Sequence, residues 1–377
     1  MKKMVIIGTV PLSFSTLLKG QPRYLSEFFD LSIITSSDIV NKEIEKYEGV
    51  SIYAVDMTRQ ITIVKDFKAL LQIYLYLVKN RPDIVYSFTP KAGLLGMIAS
   101  FVARVPVRVH NIVGMPLMEA TGKRKTLLKF IERLSYFFST KLYCNSFGLK
   151  DYIETNLTKK SVKVIAQGSI NGVDSDFFED TFTPIEKEEL RNRLGFNRDD
   201  FVLIFVGRVV KDKGVDELID AFSILKIKYP YLKLLMVGDF EENLSPIDQN
   251  SIDAIKNDDS IKLVGFQKDI RPYLSVSNLF VLPSYREGLP NSLIEAGSYG
   301  VPLLATDING CNEVIIENKT GILIKKKSVD SLVEGVSILL ENRELYNKIK
   351  ESVRSLTINR YGQEKFFKIL KDELGSL

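Results

Sequence analysis

The sequence is poor in the residues that build metal centres and disulfide frameworks: 377 residues include two cysteines and one histidine. Cys144 and Cys311 lie far apart, without metal-site spacing or the density of a disulfide scaffold. A reducing compartment, and so a cytoplasmic location, is expected. No run of about 18 apolar residues occurs, so no transmembrane helix is expected. The longest apolar stretches, 70–78 and 94–103, read as buried helix segments. The opening MKKMVIIGTVPLSFS has the basic start of a signal peptide, but Gly8 and Thr9 interrupt its apolar run, which reads as a first core strand. A large excess of one charge is also missing. Lys and Arg number 51 against 47 Asp and Glu, a net of +4, so total charge gives no case for nucleic acid and leaves room only for a local basic patch. No G-x-G-x-x-G follows the first strand; loop 10–15 stands in its place, so NAD is not expected.

What is present is a regular alternation. Short apolar runs at 5–7, 31–34, 50–53, 84–88, 107–109 and 141–144 read as strands, with helical patterns such as 67–79 and 94–104 between them. The pattern restarts with strands at 202–206, 233–237, 261–264, 279–282 and 302–305, separated by helical stretches that include 215–228 and 293–299. This length and this alternation predict an α/β protein of two doubly wound, mostly parallel sheets with a cleft between them, outside the carboxyl ends of the strands. The first domain is expected over 1–168, together with an amphipathic C-terminal helix over about 358–377, and the second over 169–357. Just past the join, Thr183, Pro184 and Glu186 have the spacing of a helix start with a capping box.

Two segments of the second half carry chemistry. The stretch 285–297 (YREGLPNSLIEAG) follows the apolar run 279–282. It puts Glu287 at a strand's carboxyl end and Glu295 about two turns, or slightly less, into a helix. That helix starts near Pro290, and its free N–H groups form an anion site. Carboxylates on either side of an anion site suit a diphosphate flanked by hydroxyl-bearing rings. A surface turn with two solvated acids has the same spacing. The second segment, Gly207-Arg208-x4-Lys213-Gly214, leaves the strand at 202–206, with glycines permitting tight turns and two cations placed to clamp a diphosphate. Alone it also reads as a basic surface loop. The two segments together, on two strands of one sheet, point to a site.

Gly207-Arg208-x4-Lys213-Gly214 with Glu287-x7-Glu295 resembles the paired signatures of the retaining GT-B glycosyltransferases grouped as family 4. Residues 237–239, 265–266, 171–174 and 305–307 extend the resemblance over most of the chain. It implies a GT-B fold and transfer of a sugar from a nucleotide diphosphate. It also implies that Arg208 and Lys213 bind the donor diphosphate, that Glu287 contacts the transferred sugar and that Glu295 binds the ribose hydroxyls. The backbone of Gly288, Leu289, Pro290 and Asn291 would add phosphate contacts, and Gly265 and Phe266 would lie near a uracil-type base. Arg208, Lys213 and Glu287 are the catalytic candidates. No Asp-x-Asp pair is placed for a metal, and the family does not generally need one.

The N-terminal half resembles the capsular and O-antigen polysaccharide transferases of this family, through residues 18–21, 87–96 (SFTPKAGLLG) and 105–109. This implies a UDP-sugar donor, an N-acetylhexosamine among the sugars to be expected, and a polyprenyl-diphosphate-linked glycan as acceptor. Ser13, Lys91 and His110 are the acceptor-side candidates. Lys91 also reads as an ordinary helix-start lysine. Many members carry a His-Gly pair where this chain has Val113-Gly114; its one histidine is three positions earlier, so no general base is assigned. Segment 122–138 is basic at its start, with Leu127, Ile131, Leu134 and Phe138 on one helical stripe. It reads either as a helix packed on the sheet or as a peripheral contact with anionic lipid on the inner face of the cytoplasmic membrane. Two rival functions remain open at this level, a GT-B-fold nucleotide-sugar epimerase and a non-catalytic nucleotide-sugar binder.

Overall fold

The computed structural model describes residues 1–58, 62–118, 120–241 and 245–377. The chain divides into two compact units, Met1–Gly172 with Gln363–Leu377, and Val173–Gly362. The first runs β1 (Lys3–Ile7), α1 (Leu12–Ser15), α2 (Gln21–Ser26), β2 (Asp30–Thr35), α3 (Asn41–Glu48), β3 (Ser51–Ala54), α4 (Ile63–Asn80), β4 (Ile84–Phe88), α5 (Pro90–Val102), β5 (Val107–Ile112), α6 (Gly122–Phe138), β6 (Lys141–Cys144), α7 (Phe147–Asn156) and β7 (Val162–Val164). Its seven strands are all parallel, in the order β3-β2-β1-β4-β5-β6-β7. Central strand β4 is buried along its whole length, as a sheet covered on both faces requires.

The second unit runs α8 (Pro184–Leu194), β8 (Phe201–Val206), α9 (Val215–Lys228), β9 (Leu232–Val237), α10 (Gln249–Asn257), β10 (Ile261–Leu263), α11 (Arg271–Ser275), β11 (Leu279–Leu282), α12 (Asn291–Tyr299), β12 (Leu303–Thr306), α13 (Cys311–Val314), β13 (Gly321–Ile324), α14 (Val329–Glu341) and α15 (Arg343–Tyr361). Its parallel sheet has the order β10-β9-β8-β11-β12-β13. The expected capping box at Thr183 and Glu186 is formed. The last helix, α16 (Gln363–Gly375), belongs to the first unit, where Phe366, Phe367, Leu370 and Leu374 join the core that holds Met4 and Ile6.

Three sequence expectations are adjusted. The first unit continues to Gly172 rather than ending at 168, because Gln21 Nε2 donates to the Ile170 carbonyl (2.9 Å) and Asn171 Nδ2 to that of Lys19 (3.0 Å). The returning helix begins at Gln363 rather than near 358, since Gly362 leaves helical geometry and α15 packs on α12 in the second unit. Edge strands β7 and β13 lie outside the apolar runs read from the sequence. One has three residues, and the other starts at Gly321, where a Cβ would lie 2.0 Å from the Leu303 carbonyl oxygen.

The apolar run 107–109 extends as a strand to Ile112, which takes in the lone histidine. His110 lies inside β5, buried, with Nδ1 3.0 Å from Ser87 Oγ. Helix α5 comes so close that a Cβ on Gly93 would sit 2.2 Å from the imidazole. Burial lowers the ring's pKa to about 4, so it is neutral near pH 7. Gly93→Ala should therefore lower the free energy of unfolding by about 1–3 kcal/mol in urea titrations. Adding His110→Ala should recover most of that loss, and strictly additive effects would contradict the contact.

Candidate active site

In both sheets the strand order reverses at one point, between β1 and β4 and between β8 and β11. Loops at the carboxyl ends of strands beside such a point diverge and leave a crevice, where open α/β sheets bind ligands. In the second unit these are the loops that carry Arg208, Lys213 and Glu287.

The two loops touch along their length. Gly214, at φ 69°, has no room for a side chain, because a Cβ would lie 2.1 Å from the Pro283 carbonyl oxygen. The Tyr285 amide donates to the Asp212 carbonyl (2.9 Å), and Arg286 Nη2 meets Asp212 Oδ2 at 2.7 Å. The Tyr285 hydroxyl donates to Glu217 Oε1 (2.5 Å). Between these ties Lys213 Nζ lies 2.5 Å from Glu287 Oε1, which also accepts from the buried Ser284 hydroxyl at 2.7 Å. Both side chains of the ion pair are largely shielded from solvent, so each depends on the other for compensation. Arg208 meets Glu241 at 2.9 Å in a solvent-exposed pair, which costs little to open.

Helix α12 starts at Asn291 behind Pro290, with no side-chain cap and no acidic residue in its first turn. The amides of Asn291 and Ser292 have no hydrogen-bond acceptor among the described residues. Free amides at a helix start, with no acid beside them, are the geometry that favours an anion. Gly288 and the buried Leu289, just before it, are braced from the β12–α13 loop: Asn309 Nδ2 donates to the Glu287 and Gly288 carbonyls at 3.0 and 3.3 Å. A Cβ on Gly310 (φ 82°) would lie 2.3 Å from the Gly288 oxygen. Glu295 is the fifth residue of α12, just past the first turn rather than nearly two turns in. It is half-buried, with no hydrogen bond or ion pair among the described residues, and burial pushes its carboxyl up to about 7. Cys311 lies buried nearby, and burial raises its thiol pKa.

The loops after β9 and β10 complete the rim. Gly238 (φ 142°) donates to the Gly265 carbonyl (2.9 Å), and a Cβ on it would lie 1.9 Å from the Gly207 oxygen. Gly265 (φ 70°) leads to Phe266, whose amide donates to Asp239 Oδ1 (2.9 Å) while its ring is 68% exposed. Among the described residues no group of three or more His, Cys, Asp or Glu side chains forms a metal cage.

Residues 186–356 match the family model described as glycosyl transferases group 1, and residues 13–146 the one described as glycosyl transferase 4-like. The chain is 32% identical to the capsular polysaccharide biosynthesis glycosyltransferase CapM of Staphylococcus aureus, over 100% of this chain and 97% of that one. This chain is a group 1 glycosyltransferase. The transferase is also 28% identical to an Escherichia coli UDP-Gal:alpha-D-GlcNAc-diphosphoundecaprenol alpha-1,3-galactosyltransferase, over 92% of this chain and 89% of the relative. It resembles the crystal structure of Anabaena Alr3699/HepE in complex with UDP and glucose, with a TM-score of 0.82, 20% identity and full coverage of both chains. The fold is the GT-B fold that the family resemblance implies.

In the transferase's first unit, the loops beside the reversal point follow β1 and β4. They hold Ser13, buried in α1, and Lys91 in the first turn of α5, 2.6 Å from Asp66. The sequence reading did not single out Thr9 and Thr89, whose hydroxyls lie 2.7 Å apart across the two loops. Thr89 has φ 68° and ψ 145°, a strained geometry for a side-chain-bearing residue. It also missed Asp212, Arg286, Ser284, Asn309 and Gly310. The last two carried a signal, since Asn-Gly is a turn dipeptide.

Gly310→Ala would push on the Gly288–Leu289 backbone without touching any charged side chain. It should weaken nucleoside diphosphate binding by about tenfold or more in calorimetry. Gly375→Ala, where a Cβ meets nothing within 4 Å, should leave binding unchanged.

Proposed function

We propose that the chain transfers a sugar from a UDP-sugar to a polyprenyl-diphosphate-linked glycan, with retention of anomeric configuration, in assembly of a capsular, O-antigen or exopolysaccharide. The observation that carries the donor half is the convergence, at the β8/β11 reversal point, of Arg208, Lys213 and an uncapped, acid-free helix start. This collects positive potential where a diphosphate would leave. The activities for which the E. coli relative and a Campylobacter jejuni N,N'-diacetylbacillosaminyl-diphospho-undecaprenol alpha-1,3-N-acetylgalactosaminyltransferase (28% identical, 75% of this chain) are named support the lipid-linked acceptor. The latter also supports an N-acetylhexosamine as the sugar.

In this reading the acceptor hydroxyl oxygen bonds to the anomeric carbon as the bond from that carbon to the β-phosphate oxygen breaks. The electron pair stays on the phosphate, and the hydroxyl proton passes to a phosphate oxygen on the same face. The products are a new glycoside and UDP. Arg208, Lys213 and the amides of Asn291 and Ser292 hold the charge gathering on the diphosphate. Gly288, Leu289 and Pro290 shape the approach to those amides. Glu295, unpaired and half-buried, takes the ribose hydroxyls, while Glu287, held by Lys213 and Ser284, faces the transferred sugar. Gly265 and exposed Phe266 border the uracil. Because side-chain cations supply the charge, no metal is required, and turnover should persist in EDTA. On the acceptor side, the start of α5 with Lys91, Ser13 and the Thr9–Thr89 pair takes the second diphosphate, and buried, neutral His110 acts through packing. The enzyme works at the cytoplasmic face of the membrane, in peripheral contact through 122–138.

Arg208→Ala and Lys213→Ala should each lower transfer by about a hundredfold or more with unchanged circular dichroism. Near-normal transfer by both would remove the diphosphate clamp. UDP release should require a polyprenyl-diphosphate sugar, and release without one would favour a different reaction. Glu295 gives a pH test. With its pKa raised to about 7, the carboxyl is half charged near pH 7 and mostly charged at pH 8, so UDP affinity should rise from pH 6 to pH 8. UDP itself titrates near 6, so the readout is the difference from Glu295→Gln, whose rise should be about two- to fivefold smaller. Identical profiles would remove Glu295 from the ribose site.

A further inference from the structure

Helices α4, α5 and α6 lie side by side on one face of the first unit's sheet, α4 against α5 and α5 against α6. Their outward faces are the reverse of what a water-facing surface requires. On α4, Ala69, Ile73 and Leu77 pack inward. On the opposite side Ile63, Phe67, Leu71, Leu75 and Val78 form a second apolar stripe at spacings of four, four, four and three. All five are exposed, Ile63 by 83% and Phe67 by 71%, and Val64 adds to them. The segment 70–78, expected to be buried, thus has Leu71, Leu75 and Val78 facing out. The stripe is about 22 Å long at 1.5 Å per residue.

Helix α6 has apolar side chains on both its inward and its outward face. Its buried face centres on Glu132, Ser135 and Tyr136, while Leu127, Phe130 and Phe137 are exposed. The expected packing stripe is therefore corrected: Ile131, Leu134 and Phe138 are half-buried, but Leu127 faces outward. Phe101 and Val102, at the end of α5, are exposed as well, and the Phe101 ring lies 5.0 Å from that of Phe138 on α6. Apolar patches of this extent on a surface mark an interaction site.

Charge decides the partner. Across the three helices the acidic residues are Asp66 and Glu132. Asp66 is held by Lys91, and Glu132 is buried. The exposed charges are Lys65, Lys68 and Lys79 on α4 and Lys123, Arg124, Lys125 and Arg133 on α6. A chain with nearly balanced totals thus has a face that is apolar and wholly basic. A second copy would bring these cations against each other. An anionic bilayer surface satisfies both properties, taking the apolar side chains below the headgroups and the cations beside the phosphates.

We propose that the outward faces of α4, α5 and α6 form a lipid-docking surface for anionic membranes, with the α4 stripe as its main apolar anchor. This deepens the peripheral contact proposed for 122–138, and the test reads binding, not transfer. The full chain should sediment with sucrose-loaded vesicles of phosphatidylcholine containing about 30% phosphatidylglycerol, at least about tenfold more than with phosphatidylcholine alone. Phe67→Ser/Leu71→Ser/Leu75→Ser should lose about tenfold of that binding, and Phe130→Ser/Phe137→Ser should lose less. Lys65→Ser/Lys68→Ser should reduce the preference for anionic vesicles. Because these side chains are exposed, circular dichroism should be unchanged. Sugar transfer to a short-chain, water-soluble acceptor should also be unchanged. A wild-type chain that stays in the supernatant with anionic vesicles, or a triple variant that binds as well as wild type, would overturn the proposal. So would a lipid-free dimer that the triple variant abolishes, because the occupant would then be a second copy. Failure of transfer in every variant and in wild type, with vesicle binding intact, would count against the acceptor reading and leave the docking surface standing.

Discussion

Everything at the second unit's reversal point depends on how closely the loops after β8 and β11 approach each other. Gly214 against the Pro283 carbonyl removes the space that any side chain would need. That approach brings Lys213 to Glu287 and holds Asp212 against Arg286 and the Tyr285 amide. A lysine at a strand end is ordinarily a mobile, hydrated charge. Here it is fixed by its ion pair with Glu287, whose loop runs into the uncapped start of α12, so the cation and the helix start are placed by backbone geometry rather than by side-chain order alone. Gly238 and Gly310 repeat the device at the neighbouring loops, each replacing a side chain by a backbone contact. The site is thus built from backbone proximity first and charged side chains second.

Much of this is legible in the amino-acid sequence. Strand runs buried on both faces are continuous in sequence, so β1, β4, β8 and β11 stand out, and the restart of the pattern reports two sheets. Arg208, Lys213, Glu287 and Glu295 are legible because glycines and prolines punctuate their segments. The braces are not. Asp212 and Arg286 read as ordinary surface charges until the fold brings position 212 beside 286, and Ser284 has no sequence mark at all. Edge strands β7 and β13 escape notice because Lys163 splits the apolar residues of one and the other opens on Gly321, which reads as a turn.

The first unit shows the opposite failure. Binary patterning reveals that a helix has an apolar face but not which way that face points. On α4 there are two such faces, and the sequence reading assigned both to the core. On α6 the buried face mixes Glu132 and Ser135 with Tyr136, while Leu127, Phe130 and Phe137 are exposed. His110 misleads for a related reason. A single histidine near a strand end invites a catalytic role, yet Gly93 exists beneath it to make room for a neutral, packed ring.

The proposal on which the rest depends is that the loops at the second unit's reversal point bind the nucleotide-sugar donor. Hydrogen–deuterium exchange of the full chain, with and without saturating UDP, tests it most directly. The account predicts that the largest slowing of amide exchange falls in 207–214, 265–266 and 287–295, at the loops after β8, β10 and β11 and the start of α12. Slowing concentrated instead in the β1–α1 loop or at the start of α5, with those segments unchanged, would contradict it.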